Sequence, residues 1–130
     1  MNIIFGDIPQ PVADRYTVLE LDLVRFMPAN QCVQAWCVVE TVPMEELGRM
    51  DSNRKMHQDL MAQYRQRNWA FCGQAITALL GQWNGELDTF YHHLLNRVSE
   101  YQLNPPAAEW DGALIKFESV PDSQADSVAE

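Results

Sequence analysis

The chain has 130 residues, with 47% hydrophobic and 21% charged, the make-up of one globular domain large enough for a real core. Its net charge of −9 argues against nonspecific binding of nucleic acid or anionic membrane by the chain as a whole. The distribution is uneven: Arg49, Arg54, Lys55, Arg65 and Arg67 face only Asp51 and Asp59, whereas seven acidic residues follow from Glu100 with Lys116 alone against them.

Asn2 to Ile8 reads as a short strand with Ile3 and Phe5 on one face, and Pro9, Pro11 and Asp14 as a loop. From Tyr16 to Phe26 the residues alternate, Leu19, Leu21 and Leu23 against Glu20 and Asp22, the period-two pattern of a half-buried strand. The turn residues Met27 to Asn30 lead into a second strand, Gln31 to Val39, and so short a connection predicts an antiparallel hairpin. Val33, Ala35, Cys37 and Val39 fall on one side of it, Cys32, Gln34, Trp36 and Val38 on the other. Neither side is polar throughout, so this strand is expected to be central or covered on both faces. Thr41 to Leu47 reads as a short helical turn.

Asp51 to Tyr101 is the longest periodic region and reads as two helices joined at Trp83-Asn84-Gly85-Glu86. Met56, Leu60, Tyr64, Phe71, Ala75, Leu79 and Trp83 recur at helical spacing, flanked by Met61, Trp69, Cys72, Ile76 and Leu80. Gly81 and Gly85 are the stop signals. Leu87, Tyr91, Leu94, Val98 and Tyr101 mark the second helix, which Asn104-Pro105-Pro106 ends. A first helix from Ser52 to Leu80 is about 43 Å long at ~1.5 Å per residue. A compact chain of this size is only about 36 Å across. Its polar N-terminal half is therefore expected to project or to meet a partner, unless Gly73 bends it.

Ala113 to Val120 reads as a last strand, Ile115 and Phe117 alternating with Lys116 and Glu118. The order is thus β-β-β-short α-α-α-β. It predicts an α+β fold, a three- to four-stranded antiparallel sheet packed against a long helical hairpin. Residues 1–120 form one expected domain, and 121–130 an acidic, apolar-poor tail of disordered composition.

His92 and His93 are adjacent on a helix and point about 100° apart, so they cannot chelate one ion. The three cysteines have no framework spacing and fit reduced thiols, and no signal or membrane segment is visible, so a cytoplasmic setting is expected. Glu86 and Asp88 fit the first turn of a helix without any catalytic task. Motifs of hydrolases and phosphate-binding loops are absent, and no cofactor or catalytic residue is assigned.

Two surfaces stand out. Arg54, Lys55, Arg65, Arg67 and Trp69 combine fixed cationic donors with an aromatic, with Arg65 one helical turn from Trp69. Met56, Leu60, Met61, Tyr64, Trp83 and Phe90 offer an apolar stripe and an aromatic knob of the residue types enriched at interfaces. The expected function is that of a small non-enzymatic intracellular accessory protein, associating through its long helix with itself or another protein. Nucleic-acid or phosphate-ligand binding through the basic half-helix is the alternative, and an enzyme with a pocket between sheet and hairpin is a third.

Overall fold

In the computed structural model, residues 1–122 are described. The fold is α+β. In chain order it comprises β1 (Asn2–Phe5), α1 (Gln10–Arg15), β2 (Thr17–Phe26), β3 (Gln31–Val39), a 3-10 turn (Met44–Arg49), α2 (Met50–Arg65), α3 (Trp69–Leu79), α4 (Asp88–Leu103) and β4 (Ala113–Lys116), with a second 3-10 turn at Trp83–Gly85. The contacts divide the chain into two compact units, Met1–Thr41 with the segment from Gly112 onward, and Val42–Asp111. Most of the expected tail, residues 123–130, lies outside the described residues.

The first unit is a four-stranded sheet in the order β1-β3-β2-β4. β3 is central, paired antiparallel to both β1 and β2, as the two-sided apolarity of Gln31 to Val39 implies. β4 pairs parallel to β2, so the sheet is mixed and not antiparallel throughout. Alternation alone carries no strand direction, which is why the sequence could not show this. The segment around Pro11 forms a short helix instead of a loop. Pro11 sits in its first turn, where a missing N–H costs nothing, and Val12 is buried with Ile4 and Val38. Ile8, Tyr16 and Val18 pack around that cluster.

The clean alternation of β2 is broken at a bulge. Register shifts between Glu20 and Leu23, so the buried residues are Leu19 and Leu21 before it and Val24 and Phe26 after it. An extra residue changes which face each later side chain takes, and Leu23 loses the buried position that strict alternation gives it. The irregular carbonyls are satisfied by one side chain: Gln34 Nε2 lies 2.8 Å from Leu21 O and 3.2 Å from Asp22 O. A polar residue on a central strand is thereby accounted for.

The second unit departs from a two-helix hairpin. The expected continuous helix is broken at Gln66–Asn68, giving α2 and α3 of 16 and 11 residues, about 24 and 17 Å long. Arg67 takes a left-handed φ of 63°. Its guanidinium donates to Pro106 O at 3.0 Å and to Ala107 O, and lies 5.4 Å from the Trp110 ring centroid. Asn68 caps α3, its Oδ1 accepting from the Phe71 N–H at 3.4 Å. Gly73, where a bend was the alternative to a straight helix, is an ordinary helical residue. Beyond α3, Gly81 and Gly85 have φ of 85° and 73°, the left-handed geometry that glycine takes at helix ends. The Gly81 N–H is held by Asp88 Oδ1 at 2.9 Å.

Candidate functional site

The break at Arg67 gathers four aromatic rings. Tyr64 at the end of α2, Trp69 at the start of α3, Tyr101 on α4 and Trp110 in the following loop contact one another in all six pairings, with centroids 5.3–6.4 Å apart. Rings this close fill the space between them, so the group is a packed cluster and not a cage for a cation. Arg97 Nη1 donates to the Tyr64 hydroxyl at 3.2 Å, while Arg67 closes the Trp110 side.

This geometry reassigns the residues that the sequence singled out. Leu60, Met61, Tyr64, Trp83 and Phe90, expected at an interface, are buried at 7% exposure or less, and only Met56 is part-exposed. The stripe could be recognised as apolar, but not that folding α3 back beside α2 would cover it. Trp83 Nε1 is buried with no hydrogen-bond partner among the described residues.

The basic set is also dispersed. Arg54 lies 3.7 Å from Asp51, Lys55 lies 2.8 Å from Asp59, and Arg67 is committed to backbone carbonyls. Arg65 ends α2 and Trp69 begins α3, so their spacing of four no longer spans one helical turn.

Two buried polar side chains that sequence reasoning missed are held by intramolecular bonds. His57, fully buried on α2, has Nδ1 2.9 Å from the Tyr91 hydroxyl, with the Phe90 ring beside it. Burial pushes its pKa down from 6.5 to about 4, so the ring is neutral at pH 7. The Glu46 carboxylate accepts the Asn84 N–H at 3.3 Å. The only sign of His57 in the sequence was its place one residue from the Met56 stripe. Cys72 lies near Leu60 O at 3.9 Å, and burial raises its thiol to about 11, well away from a reactive thiolate. Among the described residues no three His, Cys, Asp or Glu side chains are placed to hold a metal ion.

What remains open is a groove of about 500 Å³ between α3 and α4. Trp69, Gly73 and Thr77 form one wall, Leu95, Val98 and Ser99 the other, and no ionisable side chain lines it. The same trait runs along the sequence: Asn68 to Gly85 contains no charged residue. A Cβ built on Gly73 meets nothing within 4 Å, so the groove floor lies open over the α3 backbone. A smaller recess on the other flank of α3 is lined by Met56, Phe71, Gln74 and Ala75. No family model, curated protein or solved structure matches this chain. Among the described residues no helix is long and apolar enough to cross a membrane.

Proposed function

We propose that this chain is a non-enzymatic protein-association module, and that its α3–α4 groove receives an apolar, uncharged helix of a partner protein. The observation that carries this reading is the groove itself, uncharged on a chain of net charge −9. Its lining offers no charged donor for phosphate or carboxylate, so it favours a partner recognised by shape and apolar contact. Small residues along α3 let a second helix approach its backbone closely. The basic half-helix supports this reading over nucleic-acid binding, because Arg54, Lys55 and Arg67 already have partners within the chain.

The test places a photoreactive side chain at Ser99 and irradiates the full chain in an extract of its source cells. A discrete adduct is expected, with the cross-linked peptide helical and uncharged on the contacting face. Gly73→Trp fills the groove where nothing stands in the way, so it should abolish the adduct and leave the melting curve intact. An adduct that survives Gly73→Trp, or a cross-linked peptide that is acidic or extended, removes the groove as the docking surface.

A further inference from the structure

We infer that the segment following β4 pairs with the same segment of a second copy, antiparallel about a twofold axis at Phe117. Pattern and structure disagree after β4, at a place separate from the groove: alternation supports a strand from Ala113 to Val120, yet β4 stops at Lys116. No glycine or proline interrupts Ala113 to Val120, and Pro121 follows. The strand stops because its neighbour does. β2 ends at Phe26, the Met27 N–H makes one more bond to Lys116 O at 2.7 Å, and Pro28 has no N–H to give.

Beyond that point the chain bends, and Phe117 to Val120 border a recess of about 230 Å³ whose other side is Phe26 to Ala29 and Gln31. Ile115 is 62% and Phe117 82% exposed, and Lys116, Glu118 and Ser119 are exposed as well. Two large apolar side chains in such positions mark a surface built for contact. Among the described residues β4 pairs with β2 alone, so its far side is an open sheet edge, the natural template for another strand.

The strand's own polarity selects the occupant and its register. Lys116 turns its carbonyl toward β2, so Ile115 presents its backbone groups to the open side, and Phe117 does the same once the bend at Phe117 and Glu118 straightens into a strand. A twofold axis can pass through a hydrogen-bonded pair of odd-numbered residues or a non-hydrogen-bonded pair of even-numbered ones, and charge decides between them: centring on Lys116 or on Glu118 sets like charges face to face. Centred on Phe117, an antiparallel twin sets Lys116 against Glu118 of the second copy, twice by symmetry. It also sets Phe117 beside Phe117, Ile115 beside Ser119 and Leu114 beside Val120. Opposite charges face each other, and Pro121, which cannot donate to the ladder, falls just beyond it. An isologous contact of this kind closes at two copies and joins two sheets into one.

Light scattering on the full chain is expected to give a dimer. Lys116→Glu or Glu118→Lys alone places like charges opposite each other twice and should weaken the dimer about tenfold. The double variant, or a mixture of the two single variants, should restore it. In a Cys32→Ser background, Phe117→Cys should form an intermolecular disulfide under mild oxidation, since the facing Cα atoms of such a pair lie within about 6 Å. Gly73→Trp should leave the dimer unchanged, which separates this contact from the groove. A monomer at every concentration overturns the inference. So does a dimer indifferent to both charge reversals, or one cross-linked by Ile115→Cys in place of Phe117→Cys.

Discussion

Tyr64→Ala is expected to cost about 3–5 kcal/mol, the range for removing a fully buried aromatic side chain. Tyr64 is buried at 2% exposure against Trp69, Tyr101 and Trp110, and its hydroxyl takes a bond from Arg97. Removing it leaves a cavity where α2, α3, α4 and the Trp110 loop meet, and it takes away the hydroxyl that accepts from Arg97. Tyr64→Phe keeps the ring and should lose only about 1 kcal/mol, the usual net worth of one hydrogen bond. Chemical denaturation followed by tryptophan fluorescence reads both, because Trp69 and Trp110 sit against the missing ring. Leu60→Asp should unfold the chain outright, since it buries a lone carboxylate at a position with no solvent exposure. A folded Leu60→Asp protein with altered association would mean that this helix face is a free surface after all.

Acid should destabilise the protein through His57. The folded ring takes a proton only near pH 4, whereas the unfolded ring takes one near 6.5. A lowered folded-state pKa on a histidine means that the unfolded chain binds more protons between those values. His57 therefore imposes no penalty above about pH 6.5. Stability falls as pH drops toward 4, by about 3 kcal/mol in total at ~1.4 kcal/mol per decade of proton affinity. The physical cause is burial: an imidazolium there would lose its water and face the Tyr91 hydroxyl and the Phe90 ring. His57→Gln keeps a polar partner for Tyr91 without a titrating ring. The difference between its denaturation profile and that of the parent should shrink steadily from pH 7 to pH 4. A difference that stays constant over that range would show that His57 is not buried neutral.

The sheet was more legible than the helices, for reasons tied to particular residues. Strand alternation identified Thr17–Phe26 and Gln31–Val39, because a half-buried strand writes its faces directly into the sequence. The break at Arg67 was not legible. Arginine carries no preference for a left-handed backbone, and what holds it there are the Pro106 and Ala107 carbonyls, 39 and 40 residues away. Asn68, the cap of α3, is the local signal, an Asn directly before the Trp69–Leu79 helix. Everything lost at the candidate site follows from that break. Leu60, Met61 and Tyr64 were read as an apolar stripe for a partner, and they are buried within the chain, whereas Met56 stays part-exposed. The groove went unseen because it consists of what α3 lacks, namely charge and bulk, and such an absence gains meaning only beside a second helix.

The position of β4 in the chain has a consequence for the order of assembly. β2 and β4 are adjacent strands separated in sequence by the whole of Val42–Asp111. Hairpin contacts such as β2 with β3 close a loop of a few residues, but the β2–β4 ladder must wait for a far longer closure, whose entropic cost grows with the logarithm of the loop. Helices that form early would shorten that loop, so the expected order is helix assembly first and sheet completion last. Within one chain β4, like β1, is a four-residue edge strand and less protected than the inner strands β2 and β3. Native-state hydrogen exchange should show this as earlier loss of the Met27 amide, which donates to Lys116, than of the Cys37 amide on the central strand. A chain released or stalled before β4 emerges would carry a three-stranded sheet with β2 as its open edge.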